Sequence, residues 1–354
     1  MAVKIPIDIF FEKIEQALNA GLPFTAFQHP QEDKIKGFFQ RNDKVYHAET
    51  YKESGFVFAP FNEIKSAVLF PEEESEVFIS SFYEDDFDDA IKKGNFEFDS
   101  EQEKNRHIDL VAKGIDFLKT TQNKKVVLSR KITITSDNFE LITTFKKLMS
   151  TYKNTMVYVW FHPKVGLWLG ATPETLIKVN NNKFSTMSLA GTQVYNDNLD
   201  VIWQDKEVQE QQFVTDFIGA QIEANVKVSK PYTIKAGNIL HICTDISGQI
   251  TPELSLDSLI KKLHPTPAVF GLPQKTAKVF ILDNENYNRT FYTGFLGELN
   301  INGRSNLFVN LRCMQVLKTS IEIYVGGGIT VDSIPEKEWK ETVAKSKIML
   351  KVLV

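Results

Sequence analysis

Just past three consecutive glycines, Gly326 to Gly328, the chain reads ITVDSIPEKEWKETVAK, and its charged residues recur at helical spacing. At about 100° per residue, Glu338, Glu341 and Lys345 fall in one sector roughly 60° wide, while Trp339, Val343 and Leu350 fall on a different face. So one face packs and the other carries two carboxylates and an ammonium, a turn or two beyond a glycine loop that lets another group approach the backbone closely. The same spacing also describes a solvated face carrying a Glu341–Lys345 pair worth roughly a few tenths of a kcal/mol.

Other residues bear on that choice. Lys125, in the alternating run KKVVLSRKITITS, shares a face with Val127 and Ser129 at the mouth of an apolar strand, the place of an edge residue that keeps its ammonium in water. Glu174 follows Pro173 at a Gly-Ala-Thr-Pro-Glu corner, and the alternation from Trp168 to Ile177 leaves it on the side of Trp168 and Gly170, where it can point inward. Glu210 lies one turn before Val214, close to the axis of the apolar stripe Val214, Phe217, Ile218 and Ile222. A carboxylate aligned with a buried face costs several kcal/mol unless it is paired, protonated or metal-bound. Arg312 interrupts NLFVNLRCMQV, read as one apolar strand, and demands an anion from the protein or a substrate. In LHPTPAVFGLP three prolines and a glycine fix the shape of a wall, with His264 either a base or held by a backbone hydrogen bond. Arg289 and Tyr292 follow in NRTFYTGFLGEL.

These groups need elements to hold them. Ile321, Ile323 and Val325 alternate as a strand before the glycines, and Ser333 with Glu336 reads as a capping box with Pro335 in the first turn. HIDLVAKGIDFLKT, NFELITTFKKLMSTY and DKEVQEQQFVTDFIGAQIEANV read as helices. MVYVWFHP and three segments between Val165 and Thr192 read as strands, as do GFVFAPF and EVFISSFY nearer the N-terminus. YEDDFDDAIKKGNFEFDSEQEKN reads as an exposed loop or linker.

A chain of 354 residues with 42% hydrophobic content buries a large core. A net charge of -4, with both signs interspersed, gives no footprint for nucleic acid or an anionic membrane. Cys243 and Cys313 sit in apolar runs without metal-ligand spacing, as packed thiols do in a reducing compartment such as the cytoplasm. No apolar run approaches the roughly 18 residues of a membrane span. Asp8, Glu12 and Glu15 make the first segment an amphipathic helix rather than a secretory signal.

The ordered set KVVLSR, LGATPE, SLAGT, the Glu210 helix, LHPTPAVFGLP, RTFYTGFLG, NLRC, YVGGGI and PEKEWKETVAK resembles the chorismate-utilising enzymes, and among them the isochorismate synthases. The resemblance spans about residues 105 to 350. It implies an α+β fold of large, mostly antiparallel sheets in a two-lobed sandwich flanked by helices. Residues 1–104 would form a weakly matched N-terminal part, and 105–354 the chorismate-binding catalytic region of one integrated domain. Carried over, the pattern makes Lys125 the base that activates water and Glu174 the acid that protonates the departing hydroxyl, which requires a depressed lysine pKa and a raised glutamate pKa, both from desolvation. It makes Glu210 and Glu341 holders of Mg²⁺, with Glu338 a third acidic position. Arg312 and backbone N–H groups around Gly326 and Gly328 would hold the enolpyruvyl carboxylate, with Lys345 adding charge. Gly191 and Thr192 would line the ring pocket, and His264, Ala268 and Tyr292 would contact substrate. Chorismate is then the expected partner, with the chain a cytoplasmic monomer lacking a glutaminase subunit. Three positions depart from the pattern: Gln211 stands where the family has His, GGGIT replaces GAGIV, and Lys131 follows KVVLSR. Aminating relatives, salicylate synthases and a non-catalytic binding protein are the rival readings. LHPTPAV resembles the water-using branch, the aminating branch preferring a Gly-Thr pair in that wall.

Overall fold

The computed structural model describes residues 2–62, 67–83, 100–222, 225–236 and 239–353; of the acidic run from Tyr83 to Asn105, read as a loop, residues 84 to 99 lie outside them and 101 to 105 open a helix instead. The first part of the chain gives Val3–Lys4 (β1), Ile7–Asn19 (α1), Phe24–Gln28 (β2), Lys34–Gln40 (β3), Tyr46–Ala48 (β4), Gly55–Ala59 (β5), Ala67–Pro71 (β6) and Ser75–Ser81 (β7). The middle gives Glu101–Thr120 (α2), Lys125–Thr135 (β8), Leu141–Thr151 (α3), Met156–His162 (β9), Gly166–Thr172 (β10), Thr175–Asn180 (β11), Lys183–Val194 (β12) and Asp205–Ile222 (α4). Next come Lys227–Val228 (β13), Tyr232–Ala236 (β14), Ile239–Gln249 (β15), Leu256–Leu263 (α5), Gly271–Leu272 (β16) and Gln274–Asn284 (α6). Phe295–Ile301 (β17), Arg304–Val309 (β18), Cys313–Val316 (β19), Ser320–Ile329 (β20) and Pro335–Leu350 (α7) complete it.

Two large sheets result. The first runs β1-β7-β3-β2-β9-β10-β19-β20-β8-β16 and the second β13-β15-β12-β11-β18-β17-β5-β6-β4, with β14 also on β15. Every pairing is antiparallel except β1 with β7. Strands before residue 83 enter both sheets, β2 against β9 in the first and β5 against β17 in the second.

The chain's 27 phenylalanines explain how the sheets meet. Between them lies an aromatic layer that includes Phe27, Phe56, Phe58, Phe70, Trp160, Trp168 and Tyr324. Such rings fill the sheet-to-sheet gap of about 10 Å with few side chains. On the outer face of the first sheet, Phe10 and Ile14 of α1 and Phe145 and Leu148 of α3 pack over β2 and β9. On the outer face of the second, Val214, Phe217, Ile218 and Ile222 of α4 bury the stripe that their spacing predicts. Both faces of most strands are therefore covered, which is why they read as continuous apolar runs.

Two local expectations fail. The Ser333–Glu336 capping box does not form: Ile334 is the N-cap of α7, and Ser333 Oγ instead accepts the Thr330 N–H at 3.0 Å. Pro335 does open the helix. The three glycines are not a loop, since Gly326, Gly327 and Gly328 pair in register with Ser129, Leu128 and Val127 inside β20.

Candidate active site

Two chain crossings between the sheets build the site. β10 of the first sheet leads through Pro173 and Glu174 to β11 of the second, and β18 of the second leads through residues 310 to 312 to β19 of the first. NLFVNLRCMQV is thus two strands rather than one, and Arg312 stands at the break with φ of +48°. The two corners hold each other. Val309 N–H donates to Glu174 O and Ala171 N–H to Arg312 O, both at 2.9 Å. Asn310 fixes the second corner by accepting from the Tyr158 hydroxyl at 2.6 Å and donating to Phe291 O at 2.9 Å. Glu174 and Arg312, 138 positions apart, are placed by one set of main-chain bonds.

Both residues line a narrow cavity of about 60 Å³, together with Gly191, Thr192, Ala268, Tyr292, Gly326, Gly328 and Lys345. Beyond Tyr324 no strand among the described residues pairs with the second edge of β20, because β19 begins opposite at Cys313. Backbone groups of Gly326 to Gly328 on that edge face the cavity. Gly191 adopts φ of +72° at an irregularity in β12, and a Cβ there would meet Glu207 Cβ at 3.0 Å. Its carbonyl accepts from His241 Nδ1 at 2.7 Å, which leaves Nε2 to accept from Arg312 Nη2 at 3.1 Å. Burial, then the charges of Arg312 and Lys345, push His241 down to about 3, so the imidazole is neutral, as that bonding requires. Arg312 Nε is buried and unpaired among the described residues. His241 escaped the sequence reading, its only signal being a lone histidine in the apolar strand NILHICTD.

Glu174 is 4% exposed, and burial pushes its carboxyl up to about 7 against the opposing charges of Lys125, Arg312 and Lys345. Its protonated form therefore persists up to about neutral pH, far above the ordinary carboxylate range. Lys125 is fully buried with Nζ 2.8 Å from Glu210 Oε1, and Glu210 stands between it and the cavity. Glycine is essential to that arrangement: a Cβ on Gly328 would lie 2.1 Å from Glu210 Oε1 and 2.7 Å from Lys125 Cε. Lys345 donates to Gly326 O at 2.9 Å and to Glu341 Oε1 at 2.6 Å. Desolvation opposes ionisation of Glu341, yet Lys345 holds its carboxyl below the ordinary range.

The comparisons with known proteins follow from this geometry. The family profile described as "Chorismate binding enzyme" matches residues 62–354. The chain belongs to the chorismate-binding enzymes. The isochorismate synthase EntC of Escherichia coli K12 is 29% identical over 259 residues, covering 69% of this chain and 66% of that protein. Anthranilate synthase component 1 of Lactococcus lactis is 27% identical over 366 residues, 98% of this chain and 73% of that protein. The chain thus spans just under two thirds of the length of EntC. The fold is also that of MenF, the menaquinone-specific isochorismate synthase of Escherichia coli, with TM-score 0.77, 19% identity, and 94% of this chain and 89% of that one covered. No helix of the described residues is long and apolar enough to cross a membrane.

Within this chorismate-binding enzyme, some expected residues sit elsewhere. His264 is buried beside Phe295, facing a separate cavity lined by Tyr51, Pro60 and Ile260, so it does not reach the site. The prolines after it turn the wall away at that point and return it at Ala268. Gln211 points away from Glu210 into the hydroxyl cluster of Ser188, Thr215 and Thr244, with its amide nitrogen 2.7 to 2.9 Å from each. Its departure from the family pattern therefore concerns packing under β12. Arg289 finds its anion in Glu285, with the pair 2.6 Å apart and both side chains 1% exposed. Its other donors reach Val269 O and Val127 O, so it ties the wall to β8.

The three candidate metal carboxylates gather behind the glycines. A Cβ on Gly327 would stand 3.4 Å from Glu341 Oε1 and 3.5 Å from Glu338 Oε2, while Glu210 Oε1 lies over Gly328. Their oxygens are the hard donors that Mg²⁺ prefers, and Glu338 Oε2 is buried without a hydrogen-bond partner among the described residues. The donor set fits, but it is not a finished cage: among the described residues no three acidic, histidine or cysteine side chains already converge on one point. Each carboxylate is turned toward a lysine instead. Glu210 meets Lys125, Glu341 meets Lys345, and Glu338, 2% exposed, meets Lys206 at 2.5 Å. On the face read as solvated or functional, Glu338 and Lys345 are thus buried and Glu341 is half-buried, while across the helix Trp339 is buried and Val343 and Leu350 are half-buried. Lys206 was not anticipated, although it precedes Glu210 by four residues on the same face of α4.

Proposed function

We propose that this chain is a Mg²⁺-dependent isochorismate synthase, in which water adds at C2 of chorismate as the C4 hydroxyl leaves and the ring double bonds shift between them. The observation that carries the reading is Glu174, a buried carboxyl held up at about 7 on the wall of a cavity that also presents Arg312, Lys345 and the backbone of Gly326 to Gly328. A leaving hydroxide needs a proton, and a carboxylic acid whose pKa is raised to about 7 keeps a large protonated fraction near neutral pH to supply it. Arg312, pre-oriented by His241 and with Nε unpaired, takes a substrate carboxylate, aided by Lys345 and the open edge of β20. Lys125 receives the proton of the attacking water once Glu210, 2.8 Å from its Nζ, has turned from it. Bound Mg²⁺ would neutralise a ring carboxylate and be held by Glu210 and Glu341, with Glu338 directly or through water. The cavity of about 60 Å³ holds a few waters, so its walls open to admit chorismate.

Ala268 in the wall presents a methyl group where the aminating relatives prefer a Gly-Thr pair, which supports water over ammonia as nucleophile. Incubation with chorismate and MgCl₂, followed by chromatography of the products, tests the reading. Isochorismate supports it, and an aminated or pyruvate-free aromatic product refutes it.

A further inference from the structure

One cation in this region has no part in the reaction just described. The ammonium of Lys206 reaches from the first turn of α4 to the first turn of α7 and contacts Glu338 Oε1 at 2.5 Å. It also lies within electrostatic reach of Glu210 and Glu341, so all three candidate metal carboxylates face it. Its side chain is 22% exposed while that of Glu338 is 2% exposed, so the lysine has a route to solvent that the glutamate lacks. Lys125 and Lys345 are far more enclosed, at 0% and 9%.

We propose that Lys206 is a built-in competitor for the divalent cation, its ammonium and the metal ion exchanging at Glu338 so that metal binding releases the lysine toward solvent. The inference rests on the magnesium reading above. An ammonium on Glu338 Oε1 and a metal ion on its Oε2 would stand a few ångströms apart in a desolvated site, where their like charges repel strongly. A buried carboxylate left without any cation is costly, so the exchange keeps Glu338 neutralised in either state. The consequence is an apparent metal affinity lower than the carboxylates alone would give, reduced by the fraction of molecules in which Lys206 has let go.

Titration of MgCl₂ into the full chain by calorimetry at about pH 8.5, without substrate, reads this directly; at that pH Glu338, pushed up to about 7 by burial and Glu341, is ionised. With the released state populated at roughly 1 to 10%, Lys206→Met should bind Mg²⁺ about 10- to 100-fold more tightly than the wild type. Lys206→Arg, which keeps a cation, should stay within about threefold of the wild type. Thermal melting gives a second readout: metal-free Lys206→Met should melt below the wild type and gain more than the wild type on adding Mg²⁺. Lys206→Gln replaces Lys206→Met if the latter does not fold. Binding by the wild type with equal or weaker binding by the methionine or glutamine variant overturns the inference and leaves the magnesium site standing. No heat of binding in any of the proteins overturns both.

Discussion

Replacing Glu174 by Gln separates the cost of burying this carboxyl from its use. The rise from the ordinary 4.5 to about 7 corresponds to about 3 kcal/mol in favour of the protonated form. In the unfolded chain the group loses its proton near 4.5, whereas in the folded chain it keeps the proton until about 7. The folded state therefore binds more protons in that window, and the stability contributed by Glu174 falls as pH rises from about 4.5 to about 7, then stays constant. Glutamine has no charge to bury and keeps the shape. Urea unfolding followed by circular dichroism should give equal stabilities for the two proteins near pH 4.5, diverging until Glu174→Gln is the more stable by up to about 3 kcal/mol above pH 7.5. Glu338 titrates in a similar range but is common to both proteins, so the difference isolates Glu174. Turnover of chorismate should fall by about 10²- to 10⁴-fold at every pH. In the wild type, activity should decline on the alkaline side as the acid loses its proton. A variant with the same pH dependence of stability as the wild type, or less stable at pH 8, would refute the claim that burial raises this carboxyl.

Other expectations follow from the same geometry. Arg312→Lys keeps the charge but loses the fork that His241 orients, so chorismate binding should weaken by about 1.5 to 3 kcal/mol; an unchanged Michaelis constant would show that Arg312 serves only the fold. Gly328→Ala forces a methyl group into Glu210 and Lys125, and should remove most turnover while the circular dichroism spectrum is retained; near wild-type rates would contradict the packing described. Glu285→Ala strands the buried guanidinium of Arg289 and should cost about 3 to 5 kcal/mol in urea unfolding, far more than an exposed ion pair would. Glu341→Gln should lose metal-dependent turnover with the fold intact, and EDTA should silence the wild type in the same way; activity surviving EDTA would remove the metal from the account.

Much of the sandwich was legible because its strands are buried on both faces and its helices on one, so apolar runs and stripes mark them directly. Glu174 was legible for the same reason: the alternation along β10 continues through the corner and carries it inward. Arg312 was misplaced within a strand because the break after Val309 contains no glycine or proline, and what bends it is a set of tertiary hydrogen bonds through Asn310. Gly326 to Gly328 looked like a loop because glycine has low strand propensity, yet close approach of the Glu210 and Lys125 side chains requires them inside β20. His264 shares a proline-rich wall with Ala268, but the turn between them sends the two to different cavities, which spacing alone does not encode. Lys206 and His241 act through partners more than 70 positions away or on another sheet edge, and one-dimensional patterns carry no trace of such contacts.

The most direct test of the central claim is the identity of the product formed from chorismate and MgCl₂, measured by chromatography with and without an ammonium salt. Isochorismate as the sole product under both conditions, lost on adding EDTA and in Glu174→Gln, is the predicted result. Formation of an aminated product when ammonium is present, or turnover that persists in Glu174→Gln, would contradict the assignment of water as nucleophile and Glu174 as the acid.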